Sequence, residues 1–109
     1  MQIVRRNLRM AISYRETNPT EVAREAELGV NVVNSFLNGS TSISHANLLA
    51  VCDVLNIPIV ALEHPDGITP ARIRFFNLLS KLPDHLAEKA SAIVQEELDQ
   101  AGDRPEKGY

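Results

Sequence analysis

The sequence predicts an all-α fold: five short helices forming a small domain, then a two-helix hairpin. Three observations carry this expectation. Apolar residues recur at intervals of three and four along most of the chain. Capping residues punctuate those stretches, with Asn18 before Pro19, Ser44 before a helical run, and Thr69 before Pro70. Period-two runs of β-branched residues are scarce, so almost no sheet is expected. At 109 residues the chain suits one domain with an appendage. Its apolar content of 44% suffices for a core, and 5% aromatic residues with no Trp make that core aliphatic.

Residues 2–15 form the first expected helix, with Ile3, Leu8, Ala11 and Ile12 inward and Arg5, Arg6 and Arg9 largely outside. Pro19 ends this stretch, because the residue before a proline avoids the helical region. A second helix starts at once. Asn18 is its N-cap, Pro19 its first position, and Glu21 completes a capping box three residues after the cap. Val22, Ala23 and Ala26 share one face, and the small Ala23 lets another helix cross closely. The pattern breaks over 27–29, where Gly29 suits a turn or a helix start. It resumes over 30–37 with Val33, Phe36 and Leu37 inward, and Asn38-Gly39 closes it with residues that tolerate a left-handed conformation. Asn31, Asn34 and Ser35 point outward, carrying the short donors and acceptors that base edges require.

After a polar loop, Ser44 caps a fourth helix over 44–55 with Leu48, Leu49, Val51, Cys52 and Leu55 on its apolar positions. Asn56 closes it and Pro58 opens a short fifth helix to residue 62. Residues 64–67, His-Pro-Asp-Gly, are the linker candidate. Thr69 and Pro70 then start a helix to about residue 82, anchored by Ile73, Phe76, Leu79 and Leu82. Pro83-Asp84 restarts the chain into a last helix to about residue 101, with Leu86, Ala90, Ile93, Val94 and Leu98 at helical spacing. The expected organisation is a domain over 1–64, a hairpin over 69–101 and a disordered charged tail over 102–109. The hairpin either folds back on the first domain or meets a second copy.

Net charge is −3, which weighs against bulk electrostatic binding to nucleic acid. The distribution is uneven. Through residue 62, five arginines balance Glu16, Glu21, Glu25, Glu27 and Asp53, so the deficit lies beyond. Four of those arginines precede Asn18 and can contact phosphates if they share a face. The remaining chemistry is sparse. His45, His64 and His85 stand far apart, Cys52 falls on an inward stripe, and Gly29, Gly39 and Gly67 are isolated. No metal site, cofactor, small-molecule ligand or enzymatic activity is expected. One cysteine excludes an intramolecular disulfide framework. No membrane span or signal-peptide run is legible, and cytoplasmic residence is the default.

Over residues 8–62 the sequence resembles the lambda-repressor-like helix-turn-helix proteins, the XRE family of bacterial and phage regulators. The resemblance rests on the register of Val22-Ala23, Ala26, Leu28, Val33 and Phe36-Leu37-Asn38-Gly39, followed by SISHANLLAVCDVLNIPIVAL as the family's fourth and fifth helices. One departure stands out. The family usually has glycine four residues after the alanine, where this chain has Glu27, with Gly29 two positions later. A glutamate occupies a left-handed turn at a cost of about 1 kcal/mol; the alternative is a reshaped turn and a second helix that begins differently.

The resemblance implies a sequence-specific DNA-binding transcriptional regulator, a repressor that binds an inverted-repeat operator on double-stranded DNA as a homodimer; the C-terminal hairpin, outside the resemblance, is the candidate dimerisation element. Its recognition helix, at about 30–37, would enter the major groove. Mapped onto this chain, Val30, Asn31, Asn34 and Ser35 would contact bases, an asparagine pairing in bidentate fashion with adenine. Thr20, Asn38, Ser40, Thr41, His45 and Arg9 would contact phosphates. Other readings are a protein-interaction module that has lost DNA binding, and an antitoxin-like or phage autorepressor on the same fold.

Overall fold

The computed structural model describes residues 2–102. Six α-helices follow in order: α1 (Gln2–Tyr14), α2 (Pro19–Glu25), α3 (Val32–Leu37), α4 (His45–Leu55), α5 (Pro70–Leu79) and α6 (Asp84–Gly102). A 3₁₀ helix, Ile59–Glu63, lies between α4 and α5 where a fifth α-helix was expected. No strand occurs among the described residues. The predicted tail, 102–109, lies outside them except for Gly102, which ends α6. The chain divides between Asn77 and Leu78 into two compact units.

The core of the first unit is aliphatic around one ring. Leu8 and Ala11 from α1, Val22 and Ala23 from α2, Val33 and Phe36 from α3, and Val51 from α4 are each fully buried. Phe36 is the largest of them, and alanines at positions 11 and 23 leave room for helices to cross around it. Two predicted inward residues lie outside this core: Ile3 is 40% exposed near the start of α1, and Leu49 is also 40% exposed on the outer side of α4. Each sits one helical step beyond an apolar stripe that is narrower than the sequence suggests.

A buried polar residue was not anticipated. Asn7 is fully buried in α1, and its Nδ2 donates to the carbonyls of Leu62 at 3.0 Å and His64 at 2.7 Å. The neighbouring Arg6 Nη2 donates to the Pro65 carbonyl at 2.7 Å. These bonds hold residues 62–65 against α1, so the linker candidate is a packed turn. Gly67 is buried there, and only glycine fits, because a Cβ would sit 1.7 Å from the Ala61 carbonyl oxygen. Ile68 follows it into the core, as do Ile73 and Phe76 of α5.

Helix ends follow one pattern. After each of α1 to α4 a residue turns left-handed: Glu16 (φ 56°), Glu27 (φ 60°), Gly39 (φ 85°) and Asn56 (φ 54°). In each case the amide of the next residue reaches back five positions, as in Leu28 N to the Ala23 carbonyl at 2.8 Å and Ile57 N to the Cys52 carbonyl at 3.1 Å. This closure satisfies carbonyls that a helix end otherwise leaves open. Only one of the four positions is glycine. The turn between α2 and α3 is therefore made by Glu27, and Gly29 has no left-handed φ.

Starts agree with the sequence in part. Asn18 Oδ1 accepts from Glu21 N at 2.9 Å, Ser44 Oγ from Asn47 N at 3.1 Å, and Thr69 Oγ1 from Arg72 N at 3.1 Å. The capping box on α2 is only half formed, because the Glu21 carboxylate pairs with Arg24 instead of the Asn18 amide. The α3 helix starts two residues later than expected, with Val30 and Asn31 in the preceding turn.

The second unit contains α6, which the described residues leave largely exposed. Of the predicted apolar stripe, Leu86, Ile93, Val94 and Leu98 are 41–60% exposed and Ala90 is half-buried. α5 ends at Leu79 rather than 82, and Leu79 is 46% exposed.

Glu27→Gly removes a left-handed penalty of about 1 kcal/mol without touching a core contact. The variant is expected to melt about 5 °C higher than the parent, read by circular dichroism; a lower melting temperature would show that Glu27 makes a stabilising contact the turn needs.

Candidate nucleic-acid interface

The α3 helix has six residues, fewer than two turns, and cannot persist alone in water. Its inner face is anchored by Val33, Phe36 and Leu37, all at most 5% exposed. Its outer end is held from α1. Arg5 Nε donates to the Phe36 carbonyl at 2.7 Å, and the same guanidinium carbon lies 4.8 Å from the centre of the Phe36 ring. Arg9 Nη2 donates to the Leu37 carbonyl. Two cations thus sit at the negative end of α3, where the helix dipole favours them. Arg5 is half-buried, so its planar group combines the hydrogen bond with stacking, which a lysine ammonium cannot reproduce.

The predicted contact residues fall into separate places. Val30, Asn31, Ser35 and Thr41 line one shallow hollow with Gly29, Ser42, Ser44 and Asn47, between α3 and the start of α4. Asn34 and Asn38 line a second hollow with Arg9, Ser13, Thr17 and Pro19, between α1 and the opposite flank of α3. The two candidate asparagines therefore border different hollows, with the outer ridge of α3 between them. Thr20 is exposed near the start of α2. His45 lines a third recess, with Val4, Ile43, Leu48, Ile59, Leu62 and Glu63, and is not brought to the ridge of α3.

Hydrogen-bond capacity sorts these residues further. The side-chain amides of Asn31 and Asn34 make no hydrogen bond to another described residue, and both are exposed. Val30 is 48% exposed beside them. Asn38 Oδ1 instead accepts from Ser40 N at 3.0 Å and from Ser40 Oγ at 2.6 Å. This closes an Asx turn and commits the Ser40 hydroxyl hydrogen, so only the Asn38 amide group remains to donate outward.

The basic residues are engaged with the protein itself. Besides Arg5 and Arg9, Arg6 holds the Pro65 carbonyl, and Arg15 donates to the carbonyls of Leu55 at 2.7 Å and Asn56 at 3.1 Å. Arg15 also donates to Asn77 Oδ1 at 2.7 Å. Arg24 pairs with Glu21. The four arginines of residues 2–15 thus stitch helix ends and turns together and do not form one open basic face.

Residues 7–60 match the family model of the Cro/C1-type HTH DNA-binding domain. This stretch of the chain is a domain of that family. It supplies a DNA-binding helix-turn-helix in which α2 and α3 are the two helices and Glu27 makes their turn. No characterised protein and no solved structure matches the chain. Sequence reasoning missed Arg5, because its partner lies 31 residues away and nothing local marks the pairing. It also missed Asn47, Ser42 and Ser44 as walls of the first hollow, since only the buried side of α4 was legible.

Elsewhere the chemistry is quiet. Burial, with a smaller effect from Asp53, pushes the Cys52 thiol up to about 12, so it stays protonated and poorly nucleophilic near neutrality. No group of three or more potential metal ligands occurs among the described residues. No described helix is long and apolar enough to cross a membrane.

Arg5→Met keeps the aliphatic stem and removes the bond and the stack on Phe36. A loss of about 1 kcal/mol is expected, near 5 °C in thermal melts, and Arg5→Lys should recover less than half of it. A lysine variant as stable as the parent would show that charge alone is at work.

Proposed function

We propose that the protein is a transcriptional repressor that binds an inverted-repeat operator as a homodimer in the cytoplasm, without cofactor or catalytic activity. The observation that carries this reading is the pair of uncommitted asparagine amides, Asn31 and Asn34, on the exposed side of the α3 region in a Cro/C1-type domain. Each presents a donor and an acceptor in the geometry that pairs with an adenine edge, and Val30 offers a methyl surface for thymine. Ser35 and Thr41 add hydroxyls along the first hollow. Backbone contacts fall to Thr20, the Asn38 amide, Thr41, and the guanidinium hydrogens that Arg9 does not give to Leu37. Ser40 joins them only on releasing Asn38, and His45 only where the phosphate backbone passes its recess.

The charge pattern gives this binding its character. With a net charge of −3 and the arginines of α1 engaged with carbonyls, few phosphates are neutralised, and binding falls shallowly with salt. Specificity then rests on hydrogen bonding, and affinity on two domains held together. The engaged arginines also favour a second reading, a protein-interaction module on the same fold; absence of retention on DNA at low salt selects it. The dimer is assigned to the C-terminal helices, where Leu86, Ile93, Val94 and Leu98 of α6 lie exposed.

Asn31→Ala and Asn34→Ala are each expected to reduce discrimination between operator and random DNA by about 1–3 kcal/mol, with the salt slope unchanged. Fluorescence anisotropy titrations at several salt concentrations measure both quantities. Parental specificity in both variants would overturn the assignment of these residues.

A further inference from the structure

α5 and α6 carry opposite charge around exposed apolar faces. α5 and the turn after it contain Arg72, Arg74 and Lys81 and no acid; α6 contains Asp84, Glu88, Glu96, Glu97 and Asp99 against Lys89 alone. On α5, Ile73 and Phe76 face the core, while Phe75, Leu78 and Leu79 are 46–62% exposed. At 100° per residue, Arg72 and Arg74 flank that exposed face on its two sides. On α6, Leu86, Ala90, Ile93, Val94, Leu98 and Ala101 fall within an arc of about 140°. Glu97 lies inside the arc, roughly 40° from Ile93, and Glu96 borders it. Arg72, Arg74, Glu96 and Glu97 form no ion pair with another described residue. A carboxylate in the middle of an apolar stripe is stable under cover only if the covering surface brings a cation.

We infer that the occupant of the α6 face is α5 of a second copy of this chain, with Arg72 and Arg74 of one protomer meeting Glu96 and Glu97 of its partner. The inference rests on the homodimer reading above and names the surfaces that make it. A two-fold interface requires that residue i meets j and j meets i. Two complementary faces on one chain satisfy this twice over, once in each direction. The alternative of α6 against α6 offers Lys89 alone to the five acids of the facing helix, so Glu97, inside the stripe, meets no cation of its own. A protein of other chemistry would have to supply both a basic and an acidic apolar helix, and this chain already holds both.

The test is a charge exchange in the full chain, read by sedimentation equilibrium with helicity checked by circular dichroism. The parent sediments as a dimer that weakens with added salt. Glu96→Arg with Glu97→Arg, and separately Arg72→Glu with Arg74→Glu, each weaken association at least about tenfold, since four ion pairs per dimer become like-charge contacts. Mixing the two variants restores a heterodimer of near-parental affinity, because both cross-contacts are then matched. A dimer indifferent to either exchange overturns the pairing and leaves the homodimer standing. A monomeric parent overturns the homodimer itself. If stability falls in each variant and is recovered only when all four substitutions share one chain, the two faces meet within a protomer, and the inference fails.

Discussion

A six-residue helix has no position of its own, so the orientation of α3 depends on how its two ends are held. At the front, Glu27 takes a left-handed conformation and Leu28 N closes on the Ala23 carbonyl, which sets the direction in which the chain leaves α2. At the back, Arg5 and Arg9 hold the Phe36 and Leu37 carbonyls. Phe36 then joins the ends to the core, since its ring is buried and stacked beneath the Arg5 guanidinium. The same device recurs through the first unit, where left-handed residues close α1 to α4 and arginines of α1 take the carbonyls left over. Satisfying carbonyls organises this domain as much as burying aliphatic side chains does.

That economy has a consequence for binding. Arginines that cap helices keep their charge, but their geometry is set by the protein, and few donors remain for phosphates. The proposed interface is left with short neutral side chains on the ridge of α3 and in two hollows beside it. A domain built this way discriminates by hydrogen-bond matching more than it attracts by charge. In the proposed homodimer a second domain at fixed spacing then matters more than in a strongly basic protein, and the acidic, apolar α6 is the surface proposed to hold it.

The order of the helices was legible because caps and apolar spacing are local signals. Asn18, Ser44 and Thr69 mark starts through bonds to amides three residues on, and those bonds are present. The register with Ala23 left two readings at Glu27, a left-handed glutamate or a reshaped turn, and only the fold decides for the first. What the sequence hid is non-local. Asn7 looks like a polar residue on a surface helix until the carbonyls of 62 and 64 arrive from more than fifty residues away. The turn at 64–67 reads as a linker because Pro, Asp and Gly are loop formers, and its packing depends on the close approach of Gly67 to Ala61. Arg5 and Arg9 look like a basic patch until the end of α3 is brought beside them. Of the proposed interface residues, Asn31 and Asn34 were legible as exposed polar positions at helical spacing, whereas their division between two hollows required the fold.

Selecting bound sequences from a random pool of duplex DNA tests the central claim most directly, because it reports specificity and symmetry together. The account predicts enrichment of an inverted repeat whose half-sites lie about one helical turn apart, near 34 Å. Recovery of an unenriched pool, or of a single site without two-fold symmetry, would contradict it.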